Sequence, residues 1–216
     1  MEFKKNKYAV LRKAIPEEIA NFCYEYLMIK RKATEIMFKS NYLSPYSEYF
    51  GTFNDKQVPN TYSHYADFGM ETLLLYVLPK IEKITKLKLI PNYSYMRIYK
   101  KEDILHRHKD RFSCEISATL NLGGDLWPIY LEPDSSKGKD TKNGYEPGNT
   151  KGKKIILKKC DMLIYKGSEL EHWRESFNGE DCVQVFFHYT DEKTKGAIEN
   201  KFDRRPFLGL PAYFKK

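Results

Sequence analysis

Apolar side chains recur at helical spacing in the first part of the chain. Ile19, Phe22, Cys23, Tyr26 and Leu27 mark one helix, with Pro16 suited to its first position and Glu17 and Glu18 to its N-terminal end. Leu73, Leu74, Val77, Leu78 and Ile81 mark a second over about 70–85, which Pro79 is expected to kink or break. Residues 40–65 between them have no clear period. Pro45, Gly51 and Pro59 punctuate that segment, and it is dense in rings: Tyr42, Tyr46, Tyr49, Phe50, Phe53, Tyr62 and Tyr65. From about Lys88 the pattern shortens. YSYMRIY, CEISATLNL, WPIYLEP, KKIILKK, DMLIYKG, EHWRES and CVQVFFHY are rich in β-branched and aromatic residues, and most alternate in character, which predicts strands. Residues 134–153 hold almost no apolar side chain and many Gly, Asn, Asp and Ser, and read as a long exposed loop. Helices first and strands afterwards predict an α+β, mainly β fold, a sandwich or open barrel buttressed by helices.

A chain of 216 residues suits one domain, residues 1–216. Within it residues 1–87 read as mainly helical support carrying the aromatic loop 40–65, residues 88–191 as the β core and residues 192–216 as a C-terminal extension. The net charge of +8 comes from 37 basic and 29 acidic residues. The bases are scattered, as on an ordinary solvated surface, although the balance leaves nucleic acid open as a partner. Cys23, Cys114, Cys160 and Cys182 form no C-x-x-C pair, which argues against a zinc ribbon or a redox motif. With no leader-like start and no long apolar run, the expectation is a cytoplasmic protein with reduced thiols and no membrane partner. The oligomeric state has no sequence signal.

The candidate chemistry sits in LHRHKDR and LEHWRES. His108 and Asp110 are two apart, so at a strand end both can face one ion, and His172 can be brought opposite them. Two imidazoles and a carboxylate hold one face of an octahedral Fe(II) or Mn(II) and leave the other open, and no thiolate points to structural zinc. His106 could replace His108, but no acid stands two residues after it, so the spacing favours His108. His64 and His188 have no comparable context.

From about Tyr93 to Asp191 the chain resembles the 2-oxoglutarate- and Fe(II)-dependent dioxygenases, especially the prolyl 4-hydroxylase type. The resemblance rests on RIYKKEDILHRHKDR, then SCEISATLNL, WPIYLEP, KCDMLIYKGSELEH and VQVFFHYTD in that order. It implies a double-stranded β-helix (a jelly-roll, cupin-like barrel) and Fe(II) held by His108, Asp110 and His172. It implies 2-oxoglutarate and O2 as cosubstrates, with ascorbate as an accessory cofactor. The implied reaction is hydroxylation of a C–H bond, foremost of a prolyl residue in a peptide or protein, with release of succinate and CO2. No separate acid–base residue is required.

Two positions depart from the family. Cys160 replaces the usual Gly before Asp161. Asp181 and Cys182 occupy the place where an Arg or Lys usually pairs with the far carboxylate of 2-oxoglutarate. Arg174 is a substitute: two residues after His172 it shares that residue's strand face, and an inward guanidinium could clasp a carboxylate. Turned outward, it would pair with Glu175 or another acid. Tyr99 matches the family tyrosine that offers a hydroxyl to the same carboxylate, and could equally be an ordinary core ring. Gln184, sharing parity with Cys182, is a weaker amide donor. Trp127 and Trp173 flank the site, Trp173 opposite in direction to His172.

Other readings compete. The charge permits nucleic-acid demethylation by the same iron chemistry, but the two-arginine R-x-x-x-x-x-R pattern of that branch is missing. A non-catalytic metal-binding sandwich would explain the absent late Arg, and the direction of Arg174 discriminates. A cupin-like hydrolase or isomerase could use the same three ligands, but the order of strands argues against it.

Overall fold

Side-chain parity along the long strands divides the molecule into a greasy outer seam and a polar interior. The computed structural model describes residues 2–44, 46–142 and 144–215; Pro45 and Lys216 lie outside the described residues. In chain order the elements are α1 (Glu2–Asn6), β1 (Tyr8–Leu11), α2 (Glu17–Lys39), β2 (Tyr62–Tyr65), α3 (Phe68–Thr85), β3 (Leu89–Lys100) and β4 (Leu105–His108). They continue with β5 (Ile116–Gly124), β6 (Ile129–Leu131), β7 (Lys139–Thr141), β8 (Gly144–Glu146), β9 (Lys153–Ile155), β10 (Met162–Tyr165), β11 (His172–Arg174) and β12 (Asp181–Asp191). A six-stranded sheet runs β1-β10-β5-β12-β3-β2 and a four-stranded sheet β4-β11-β6-β9, every pair antiparallel. This is the mainly β, jelly-roll arrangement expected, with helices packed on one face.

Met96 and Ile98 of β3, Ala118, Leu120 and Leu122 of β5, and Val183, Val185 and Phe187 of β12 join Leu27 of α2 and Leu74, Val77 and Ile81 of α3 in the main core. Each large apolar side chain so buried stabilises the fold by about 1.5–3 kcal/mol. The opposite parity of the same strands carries Tyr95, Arg97 and Tyr99, Ser117 and Thr119, and Gln184 and His188, all buried or half-buried. A buried polar row is costly unless it is satisfied; here it forms the wall of a cavity.

The helices follow their end signals. Glu17 and Glu18 occupy the first turn of α2, and the Asp67 carboxylate caps α3 by accepting from Met70 N at 3.0 Å. Pro79 neither ends nor splits α3. Leu74, Val77 and Ile81 are fully buried on both sides of it, and that burial outweighs one missing hydrogen bond. Two segments differ from expectation. The N-terminal part supplies two strands: β1 pairs with β10 along Tyr8–Leu11, and β2, the end of the ring-rich segment 40–65, pairs with β3. Residues 134–153 contain the β7–β8 hairpin and the start of β9. β7 and β8 are polar and mostly exposed and only Ile155 of β9 is buried, so no alternation marks them. No helix among the described residues is long and apolar enough to cross a membrane.

The C-terminal residues are pinned by a buried ion pair. The Arg205 guanidinium, inaccessible to solvent, donates to Glu71 Oε1 of α3 at 2.7 Å, to the Asn92 carbonyl of β3 at 3.1 Å and to the Leu210 carbonyl at 2.6 Å. Arg205→Ala leaves the buried Glu71 carboxyl without its ionic partner, so it is expected to destabilise the protein by about 3–5 kcal/mol. A matching fall in the urea midpoint at unchanged slope checks this.

Candidate metal centre

Strand pairing sets the site. In the four-stranded sheet β11 lies beside β4 with His172 directly opposite His108, and their ring centroids are 4.3 Å apart. Asp110 follows two residues after the end of β4, where its amide donates to the Gly167 carbonyl at 2.9 Å. Gly167 lets the carboxylate come this close: a Cβ there would stand 2.4 Å from Asp110 Oδ2 and 2.5 Å from Ser117 Oγ. Gly167→Ala is therefore expected to displace Asp110 and weaken divalent-metal binding by about 10- to 100-fold, the range for disturbing a ligand's immediate support. Titration with Mn(II) reads this, and unchanged affinity would mean that Asp110 tolerates the shift.

The imidazole tautomers are fixed by the backbone. His108 Nδ1 donates to the His106 carbonyl at 2.7 Å and His172 Nδ1 to the Leu170 carbonyl at 3.1 Å. Each Nε2 is then the atom turned to the centre, and both face Asp110 Oδ1 at 3.6 Å. Burial pushes the Asp110 carboxyl up, but the charge of His172 and the two imidazoles beside it hold it well below the usual range. Burial likewise pushes His172 down, and Asp110 more than offsets it, so a positive charge at this imidazole is favoured. Three electron-rich atoms within 4.8 Å of one another make a donor set that a divalent cation fits. His106 is exposed, and only its carbonyl takes part.

Arg174 lies inside, 1 % exposed, with its guanidinium 4.9 Å from the centre of the Trp127 ring. Nη1 donates to the Trp127 carbonyl, while Nε and Nη2 are buried with no partner. Glu175 does not pair with it; that carboxylate accepts from Tyr130 at 3.1 Å. Two orphaned, buried guanidinium nitrogens are expensive unless an acceptor meets them. The missing partner would be an anion or another hydrogen-bond acceptor.

Tyr99 is fully buried edge-on to Trp127, and its hydroxyl accepts from Arg97 Nη1 at 3.4 Å. Gln184 is engaged on both sides, its Oε1 accepting from Thr119 at 3.2 Å and its Nε2 meeting Cys182 Sγ at 3.2 Å. Of the two positions lacking the expected base, Asp181 pairs with Arg31 of α2, and Cys182 is buried. Trp173 turns away from His172 to stack on Tyr130 and lie under the Arg107 guanidinium. Cys160 holds φ at 70°, the left-handed conformation that Gly adopts most easily, so the backbone keeps the turn although the side chain has changed.

Several site residues escaped the sequence reading. His188 lies beside the centre: Ser117 Oγ donates to Asp110 Oδ2 at 2.8 Å and meets His188 Nδ1 at 3.0 Å. Burial pushes His188 down to about 4, so it is a neutral ring. Its even parity with Gln184 in β12 was the available signal. A cavity of about 260 Å³ opens over the triad, walled by Tyr93, Tyr95, Tyr165 and Phe186. Segment 40–65 reaches it with Asp55 and Gln57, whereas Tyr42, Tyr46 and Tyr49 are exposed. Arg97 of β3 completes the wall and is ion-paired with Asp55.

No protein-family model matches the chain, and no curated protein does. Solved structures do match. A prolyl-4-hydroxylase of Pseudomonas putida is 10% identical over 88% of this chain and 96% of its own, with a TM-score of 0.56. HygX of Streptomyces hygroscopicus, holding nickel, 2-oxoglutarate and hygromycin B, is 12% identical over 88% and 85%, with a TM-score of 0.58. The viral collagen prolyl hydroxylase of Paramecium Bursaria Chlorella virus-1, in complex with 2-oxoglutarate, is 8% identical over 86% and 97%, with a TM-score of 0.54. At such identities the likeness is one of fold, and the fold is that of the 2-oxoglutarate- and iron-dependent oxygenases.

Proposed function

We propose that the protein is a 2-oxoglutarate- and Fe(II)-dependent dioxygenase that hydroxylates a C–H bond. The observation that carries this reading is Arg174, buried at the end of β11, the strand that bears His172, with two guanidinium nitrogens unpaired. His108, Asp110 and His172 would hold Fe(II), and Arg174 the far carboxylate of 2-oxoglutarate. Tyr99 would offer a hydroxyl to the same carboxylate; Gln184, already bonded twice, is a lesser contributor. With O2 the loaded centre would supply oxidation of a substrate C–H bond, releasing succinate and CO2, and ascorbate would keep the iron reduced.

The chain's own share is placement and exclusion of water. The carbonyls of His106 and Leu170 orient the two imidazoles, and Ser117 and Gly167 seat the carboxylate. Tyr93, Tyr95, Tyr165 and Phe186 offer ring faces that suit a compact apolar group such as a pyrrolidine ring. A prolyl residue of a peptide or protein is therefore the first substrate class to test, ahead of small molecules and nucleic acid. Oxygen-dependent succinate release from Fe(II)-loaded protein tests the reaction, and its stimulation by proline-containing over alanine-containing peptides tests the class. No succinate under any condition would leave a non-catalytic metal-binding module as the reading.

A further inference from the structure

Residues 53–60 form a loop closed at its base and applied to the mouth of the cavity. Thr52 and Ser63 exchange backbone hydrogen bonds of 2.8 and 2.9 Å, and Asn60 N donates to the Phe53 carbonyl at 3.1 Å. Val58 is buried in the apolar cluster that includes Tyr99 and Phe186. The tip carries Asp55 and Gln57. The Asp55 carboxylate accepts from Arg97 Nε at 3.1 Å, from Tyr95 Oη and from the Gln57 backbone N–H at 2.8 Å. Gln57 Oε1 accepts from Arg97 Nη2 at 2.6 Å, so its amide nitrogen is the end turned toward His108, 3.1 Å from Nε2.

That contact has one consistent reading. His108 Nδ1 faces a carbonyl, which can only accept, so the proton is on Nδ1 and Nε2 keeps its lone pair. Gln57 therefore donates to the same lone pair that points toward Asp110 and His172. One lone pair cannot hold both a hydrogen bond and a metal ion.

We propose that residues 53–60 are a metal-coupled strap: Gln57 latches it to His108 Nε2, and a metal ion bound there displaces Gln57 and loosens the strap tip over the cavity. The proposal rests on the metal-centre reading given above. Loss of the latch leaves the tip seated by Asp55 on Arg97 and Tyr95, one contact fewer, which makes uncovering of that guanidinium easier. Coupling is reciprocal, so Gln57 must weaken metal binding by the factor by which metal loosens the strap, about fivefold for one neutral hydrogen bond.

The test pairs Mn(II) titration with hydrogen-exchange mass spectrometry of the whole protein, wild type and Gln57→Ala. Gln57 is an exposed loop residue, and its removal is not expected to disturb folding. Mn(II) is expected to speed exchange in residues 54–57 of the wild type about fivefold. Gln57→Ala is expected to bind Mn(II) about fivefold more tightly and to show no Mn(II)-dependent change in the strap. Wild-type or weaker Mn(II) affinity in Gln57→Ala, or slower strap exchange on loading, would overturn the latch while leaving the metal centre standing. A wild-type protein that binds no Mn(II) would remove the metal centre and the latch together.

Discussion

Arg174→Met is expected to weaken 2-oxoglutarate binding by about 2–4 kcal/mol, roughly 30- to 1,000-fold, and to leave the cosubstrate-free protein as stable as before or more so. The two expectations come from one observation. Arg174 is buried, yet Nε and Nη2 have no partner, so the free protein bears the cost of a half-satisfied guanidinium that a bound carboxylate would relieve. Methionine keeps the stem and removes the charge. An arginine kept for structure would behave oppositely, its loss destabilising the fold with no selective effect on 2-oxoglutarate. Thermal denaturation without cosubstrate and calorimetry with it separate the cases. Wild-type affinity in the variant would move the anchor to Tyr99, Gln184 or elsewhere.

The second large effect is at the triad. His108→Ala and Asp110→Ala are each expected to weaken Mn(II) or Fe(II) binding by at least about 100-fold and to abolish succinate formation, with the strand pairing intact. Asp110 carries the greater effect. Both Nε2 atoms face its Oδ1, and without the carboxylate two neutral imidazoles remain, 4.3 Å apart and with no charge to hold the ion. Metal content after dialysis and near-native circular dichroism check both halves. Unchanged cosubstrate consumption in both variants would remove the site assignment.

Much of this was legible in the sequence because periodicity and spacing report local geometry. Period-2 runs gave the long strands, and the H-x-D spacing with a later His gave the three residues that the fold brings together. Arg174 could be placed inside because residues i and i+2 of a strand share a face, and its side chain is buried although the β11–β4 register shifts between His172 and Arg174. What stayed hidden depended on tertiary context. β1 and β2 are four residues long and embedded among helices or rings, and β7 and β8 have no buried face to create alternation. Pro79 misled because its local cost is outweighed by buried Leu74, Val77 and Ile81. Asp55, Gln57 and Arg97 were unreadable as a set because a loop and a distant strand meet only in the fold. The rings of segment 40–65 drew attention, but its polar residues reach the cavity.

The most direct measurement is anaerobic calorimetry of 2-oxoglutarate against the protein with and without Mn(II). The expected result is binding that requires the metal, with one site per chain, because the cosubstrate must bridge the triad and Arg174. Metal binding with no 2-oxoglutarate affinity would contradict it, and would make Asp181 and Cys182 the mark of a cosubstrate site that has been lost.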